Sequence, residues 1–399
     1  MNLVSGYPFW LIKDGLVFDY PSLQQDINTD VLIIGGGISG ALAGYYLTNA
    51  GVDCMVADAR SIGLGSTSAS TSLLQYEIDT PLSELVQQIG ATKAVRSYKL
   101  CEAAIEKIHQ LTQTIGFTDF QLKKSLYFSA YKKDVRFLQE EFAVRKKYGF
   151  KVNYLDAATV KKEFGFSAAA ILSDTAAQTN AYTLTHALLQ EAITKGLRVF
   201  DRTLITKLQH AKNKILLKTE KGNTISANKV VFANGYEVVN YIDKKIVDLQ
   251  STYACISDPL PDHDPFWQGD ALLWNTADPY LYLRSTHDKR IIIGGRDEKF
   301  SNAAARDKLL PKKIKQLEND FAKLFPGIPF KAAFSWAGTF GSTKDGLPFI
   351  GNYKKMENCF FALGFGGNGI TFSLIAAEMT TALITAGKTK DNDLFSFDR

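Results

Sequence analysis

The sequence predicts an α/β fold of two interleaved domains, and three observations predict it. An apolar strand at Asp30–Ile34 runs into a glycine-rich turn, a helix and a second apolar strand at Val52–Ala57, the opening of a parallel sheet. Strand-rich stretches recur far downstream, from about 246 to 300 and again at 359–363, with long helical stretches between them. No repeat or low-complexity linker divides the 399 residues, which exceed what one hydrophobic core accommodates.

The elements follow in order. Residues 1–28 read as an irregular, aromatic-rich lead-in. After the first strand, Gly40–Asn49 has helical character and Gly51 stops it. Residues 82–115 read as amphipathic helix broken near Gly90, Ser125–Ser129 as a strand, and 133–148 as a charged helix. Thr183–Lys195 is a helix ended by Gly196, and Val199–Ala227 gives short strands around a turn at 221–223. Lys229–Ala233 is a buried strand. Leu281, Leu283 and Ile291–Ile293 are strand positions around a turn at His287-Asp288, and 308–325 is helical. Cys359–Leu363 is strand-like, and Ile370–Ala386 is one apolar helix. This order groups 28–90, 150–240 and 330–390 into one discontinuous domain, 91–149 and 241–329 into a second, and leaves 1–27 as an N-terminal lead-in.

Composition excludes several classes. Apolar content of 46% and charged content of 22% are those of an ordinary globular chain. A formal charge of +5 with no concentrated basic run argues against a nucleic-acid partner. Cys54, Cys101, Cys255 and Cys359 are too scattered for a CxxC pair or a disulfide framework, which suits reduced thiols in a cytoplasm. No signal peptide is visible, and no run approaches the length of a transmembrane anchor. His109, His186, His210, His263 and His287 show no metal-ligand spacing, so no metal site is expected.

Gly35-Gly36-Gly37-Ile38-Ser39-Gly40 contains GxGxxG between a strand and a helix, the context that gives this short pattern meaning. Gly35 permits the turn, Gly37 lets the backbone approach a pyrophosphate, and Gly40 lets helix and strand pack. The helix start at Ile38 and Ser39 offers free N–H groups to phosphate. Asp58, followed by Ala59, ends the second strand at the spacing of an acid that accepts ribose hydroxyls and repels a 2′-phosphate. A ligand-free turn would not require strand, glycines, helix and acid to coincide.

This fingerprint fits the ADP half of NAD and FAD alike. Gly65–Ser72 is dense in small hydroxyl residues, and Ser66, Thr67, Thr71, Ser72 and Leu73 are candidates for phosphate or flavin edges. Ala233, Asn234 and Gly235 close a strand. Gly366, Gly367, Asn368, Gly369 and Ile370 open the last long helix, whose N-terminus suits the edge of a flavin that becomes negative on reduction.

Taken in order, DVLIIGGGISG, GSTSAST after Asp58, VVFANG, DGLPFIG at Asp345–Gly351 and GFGGNGI at Gly364–Ile370 resemble the D-amino-acid oxidase-like superfamily over nearly the whole chain. The resemblance implies a Rossmann-like FAD-binding domain interleaved with a mixed-sheet substrate domain, the flavin ring between them and Ile205 near the adenine. Tyr280 to Arg296 is similar to a YxRxTxDxR…GG segment of gamma-glutamylputrescine oxidoreductases, as is Trp336-Ala337-Gly338. That makes Arg284 the candidate for an anionic substrate group or the flavin, against the plainer reading of a strand arginine. The carboxylate-binding arginines of glycine oxidases would fall at Phe340 and Gly367, neither of which can form an ion pair. The cysteine through which sarcosine oxidases attach flavin would fall near Gly338, and no cysteine lies between Cys255 and Cys359, so FAD is expected to be non-covalent.

The chemistry this implies is oxidation of a C–N bond in a small amine or amino acid, by hydride transfer to flavin N5 and hydrolysis of the imine. Oxygen or another carrier takes the electrons, and the oligomeric state is left open. Tyr280, Tyr282, Phe340 and Trp336 are candidates for the substrate wall, and Lys344 lies in a loop that could approach the flavin. The rival readings are an amino- or hydroxy-acid dehydrogenase using a non-oxygen acceptor, a non-catalytic FAD-binding redox sensor, and a nucleic-acid-modifying enzyme.

Overall fold

In the computed structural model the described residues are 1–399 except Lys244 and Asp264, with the backbone alone at Val239 and Asn240. The chain begins with β1 (Val4–Gly6) and α1 (Phe9–Asp14), then β2 (Ile27–Ile34), α2 (Ile38–Asn49) and β3 (Cys54–Ala57). A short α3 (Ser66–Ala69) leads to β4 (Leu73–Gln75), α4 (Leu82–Ile89) and α5 (Ala91–Thr114), with the break at Gly90. Then come β5 (Phe120–Phe128), α6 (Val135–Lys147), β6 (Val152–Leu155), α7 (Ala157–Phe164), β7 (Ala170–Thr179) and α8 (Ala181–Thr194). β8 (Arg198–Phe200), β9 (Ile205–Ala211), β10 (Lys214–Thr219) and β11 (Thr224–Phe232) are followed by β12 (Asp248–Ser257), β13 (Leu272–Asn275), β14 (Tyr282–Ser285) and β15 (Ile291–Glu298). α9 (Ala303–Leu324), β16 (Ala332–Ser342), β17 (Phe349–Tyr353), β18 (Met356–Leu363), α10 (Gly369–Ala386) and α11 (Asn392–Phe395) complete the chain.

Two sheets divide these strands. The first has eight, with β17-β18-β11-β2-β3-β8 as its spine and the β9–β10 hairpin joined to β11. Within it β18, β11, β2, β3 and β8 run parallel, so their C-terminal ends lie on one edge. Such strands are buried on both faces and read as continuous apolar runs, as Val31–Ile34 and Cys54–Ala57 do. The helices α2 and α10 pack together against this sheet, and α8 packs on α2.

The second sheet has ten strands in the order β1-β16-β12-β15-β14-β13-β5-β7-β4, with β6 beside β7. It mixes parallel and antiparallel pairs: β13 runs parallel to β5, whereas β5 and β7 are antiparallel.

Three expectations need correction. The lead-in is not irregular: β1 pairs with β16, and Phe9 and Trp10 of α1 are buried against the second sheet. The strands of 150–179 and of 332–342 belong to the ten-stranded sheet, not to the fingerprint's sheet with which the sequence grouped them. β7 is half polar along its length, and its pairing with β5 across some fifty residues leaves no local mark. Finally, the helix counted over Gly366–Ala386 is long and apolar enough to cross a membrane, contrary to the sequence reading; more than half of it is buried inside the fold, against α2 and α5. All four cysteines are free and buried.

Candidate active site

A cavity of about 600 Å³ lies between the two sheets. One wall is the edge where the parallel strands end: Gly35 after β2, Asp58 after β3, Ala233 after β11 and Gly364 after β18 all line it. This is the crevice at the carboxyl ends of parallel strands where α/β sheets place ligands. The opposite wall is the ten-stranded sheet, through Leu73, Thr252, Tyr282, Asp297 and Phe340.

At the fingerprint end the glycines are required by contact. A Cβ on Gly40 would lie 1.8 Å from the Gly35 carbonyl, so only glycine lets α2 start this close to the turn. A Cβ on Gly37 would lie 2.8 Å from Thr67 Oγ1, which itself accepts the Ile38 N–H at 3.0 Å. Asp58 accepts the Gly36 N–H at 2.6 Å on one carboxyl oxygen and the Arg60 N–H at 2.8 Å on the other. A carboxylate offers about four lone-pair positions, so two remain for hydroxyl donors. Burial pushes its pKa up, against the hydrogen bonds from Gly36 and Arg60 and the nearby Arg60 guanidinium. Two features here were not expected from sequence. Arg60 forms a two-pronged ion pair with Glu237 at 2.7 and 3.0 Å, and the Met1 amino group also bonds Glu237 at 2.6 Å.

The middle of the cavity is lined by the serine-rich segment, whose backbone carbonyls are held in succession. Trp336 Nε1 donates to Ala69 O at 2.8 Å and Trp10 Nε1 to Ser70 O at 2.7 Å. Arg284 Nη1 donates to Thr71 O, Ser72 O and Thr179 O at 3.2, 3.0 and 2.9 Å. The pins support Ser72, which sits in the left-handed region at φ 57°.

The structure thus places Arg284 neither on the lining of the cavity nor on the surface. It is 2% exposed, stacks over Trp10 at 5.4 Å and lies behind the cavity wall. Burial pulls its pKa down to about 10. Trp336 likewise holds the loop from behind and does not line the cavity. Lys344 is solvent-exposed and stands off the cavity.

At the far end, the turn before α10 meets the second sheet. Gly366, Gly367, Gly369 and Ile370 line the cavity. Asn368 does not: its amide donates to the Gln75 and Glu77 carbonyls at 3.0 and 2.8 Å, tying the turn to β4. Asp79, also missed from sequence, accepts the Gly367 N–H at 2.9 Å. A Cβ on Gly367 would lie 2.6 Å from Tyr280 Oη and 2.7 Å from Asp79 Oδ1, so these two residues fill the space a side chain would need. Tyr280, Tyr282 and Phe340 line the cavity with their rings, and Asp297 and Thr252 stand beside them.

The remaining sequence candidates, Ser39, Ala59, Ser66, Thr71, Ile205, Asn234 and Gly235, also line the cavity. Ser66 Oγ and Asn234 Oδ1 are buried there with no hydrogen-bond partner among the described residues, which fits a polar ligand that would satisfy them. A long cavity with a fingerprint at one end, a helix start at the other and unsatisfied polar atoms between fits FAD.

Residues 30–383 match the family model described as FAD dependent oxidoreductase. A gamma-glutamylputrescine oxidoreductase from Escherichia coli (strain K12) is 22% identical over 92% of this chain and 85% of its own. Among solved structures, the glycine oxidase from Geobacillus kaustophilus superposes with a TM-score of 0.76 at 20% identity, covering 93% of this chain and 99% of that one. The L-proline dehydrogenase from P. horikoshii gives 0.75 at 20% identity, covering 92% and 96%.

Proposed function

Because the chain belongs to the family of FAD dependent oxidoreductases, we propose that it oxidises the C–N bond of a small amine or amino acid in the cavity between its two sheets, with FAD held non-covalently. The observation that carries this reading is the continuity of that cavity, from Asp58 at the fingerprint to Tyr280, Tyr282 and Asp297 on the second sheet. The names of the relatives, a gamma-glutamylputrescine oxidoreductase, a glycine oxidase and an L-proline dehydrogenase, point to the same substrate class.

When bound, FAD supplies the two-electron acceptor for hydride from the carbon beside the substrate nitrogen. The protein's own residues do the rest. The Gly35–Ser39 turn and the start of α2 face the phosphates. Asp58 would take ribose hydroxyls on its remaining lone pairs, and Thr203, Leu204 and Ile205 would border the adenosine. Ser66, Thr67, Thr71, Ser72, Leu73, Asn234 and Gly366, Gly367, Gly369 and Ile370 of the turn before α10 would hold the flavin. Tyr280, Tyr282 and Phe340 exclude water from the reacting carbon and orient it. The oxidised product is an imine that water hydrolyses, and no side-chain base is obligatory for hydride loss from a neutral amine.

Anaerobic addition of a panel of amines and amino acids to the purified yellow protein tests this. Some member should bleach the flavin's visible absorption and yield a carbonyl compound. A protein whose flavin none of them bleaches is instead a redox sensor or a dehydrogenase of another substrate. Oxygen consumption against dye reduction then separates an oxidase from an enzyme using another acceptor.

A further inference from the structure

Asp297 lies near the C-terminal end of β15 and lines the cavity beside Tyr280, Tyr282 and Thr252. Its Oδ1 is buried and has no hydrogen-bond partner among the described residues. Asp79, behind the wall on the Gly367 N–H and Tyr280 Oη, is close enough to act on it electrostatically and adds negative charge to this end of the cavity. Among the described residues the one cation that acts on Asp297 is Lys313, and it does so from off the cavity. Among the described residues lining the cavity only Arg60 carries a side-chain positive charge, and it sits at the fingerprint end, paired with Glu237. Lys313 bonds Glu298 at 2.6 Å. Arg306 is spent on Ser5, Thr339 and the Asn2 carbonyl, and Arg284 on the carbonyls of Thr71, Ser72 and Thr179.

Charge and shape at this end thus suit one class of ligand. A substrate carboxylate would meet the acid Asp297 and no arginine among the described residues at this end, since Phe340 is apolar and the space at Gly367 is filled by Tyr280 and Asp79. An ammonium would meet a carboxylate, a threonine hydroxyl and the rings of Tyr280 and Tyr282, whose centroids lie 5.8 Å apart and whose faces attract cations.

We propose that the substrate is a cationic amine without an α-carboxylate, its ammonium held among Tyr280, Tyr282 and Thr252 by Asp297, to which it gives up a proton before the neutral amine loses hydride. This rests on the reading of the cavity as an amine-oxidising site and narrows it. Burial, with Asp79 adding to it against a hydrogen bond from Thr252, pushes the Asp297 carboxyl up to about 7, and a bound ammonium would draw it back toward its ionised form.

Two probes of similar shape test it in the FAD-loaded protein: benzyltrimethylammonium and phenylacetate, each titrated against the flavin spectrum and by calorimetry. The cation should bind and the anion should not. Asp297→Asn should weaken the cation about tenfold or more, the usual consequence of removing a buried charge partner, while retaining FAD. Tighter binding of phenylacetate than of the cation to the wild-type protein would overturn the proposal, a comparison that does not depend on the variant folding. So would unchanged cation affinity in a folded Asp297→Asn. If α-amino acids bleach the flavin and simple amines do not, the cation site fails and the oxidoreductase reading stands. If the cation binds through Asp297 and nothing bleaches the flavin, the reverse holds.

Discussion

Replacing Arg284 with methionine tests whether this arginine holds the cofactor loop or binds substrate. Methionine keeps an unbranched apolar stem but is shorter, and loses the charge, the donors and the contact over Trp10. In the wild type, one guanidinium nitrogen serves three carbonyls at 2.9 to 3.2 Å. Hydrogen bonds from a charged donor are worth about 1.5–3 kcal/mol each. Against them stands the cost of burying the charge, which holds the pKa near 10 rather than 12.5, about 3 kcal/mol. Three such bonds less that cost leave about 1.5–6 kcal/mol lost on substitution, in line with other broken buried charge contacts. For a chain of 399 residues unfolding as a unit, this lowers Tm by roughly 2–7 °C. Scanning calorimetry with excess FAD measures it. The variant should also retain FAD less well, because Thr71 to Leu73 line the cavity, while the affinity for a substrate-site probe stays as it was once FAD is saturating. An unchanged Tm together with a weakened anionic probe would refute the reasoning and return Arg284 to the substrate site.

Other residues give independent tests. Asp58→Ala should weaken FAD by about 1–3 kcal/mol, read by titrating apoprotein with FAD and following flavin fluorescence; unchanged affinity would mean that another group holds the ribose. Gly367→Arg should not create a carboxylate site, because its Cβ meets Tyr280 and Asp79 within 2.7 Å; it should lower both Tm and FAD content, and tight phenylacetate binding would contradict that. His186 is buried against Tyr20 and Tyr182, and burial pulls its pKa from 6.5 down to about 4. The folded protein keeps it neutral while the unfolded chain takes up a proton, so its contribution is complete above pH 6.5 and is lost as the pH falls toward 4, at most about 3 kcal/mol. His186→Phe should flatten the acid limb of a plot of Tm against pH, and an unaltered limb would show that other groups govern it.

The half of the site that binds the nucleotide was legible in the sequence because its signals are local. A strand, a turn that admits only glycine at Gly40, and an acid at Asp58 occur within thirty residues and need no tertiary knowledge. The substrate half was less so. Asp297 and Thr252 lie on the adjacent strands β12 and β15, forty-five residues apart, and a single aspartate at a strand end has no pattern of its own. Asp79 is likewise one acid in a loop until the fold brings Gly367 to it. Arg284 was misjudged for a different reason. Its assignment rested on the resemblance of Tyr280–Arg296 to a segment of gamma-glutamylputrescine oxidoreductases, and on β14 it does share a face with the cavity-lining Tyr282. Two residues along a strand is nearly 7 Å, however, enough to carry Arg284 past the cavity and under the loop at 71–72.

A crystal structure of the protein with FAD bound tests the central claim most directly. The account predicts the ribose hydroxyls at Asp58, the pyrophosphate at the Gly35–Ser39 turn, and the flavin ring between the turn at 366–370 and the wall of Tyr282 and Phe340, with no bond to protein. A flavin ring seated elsewhere, or a nucleotide that leaves Asp58 without a ligand contact, would contradict it.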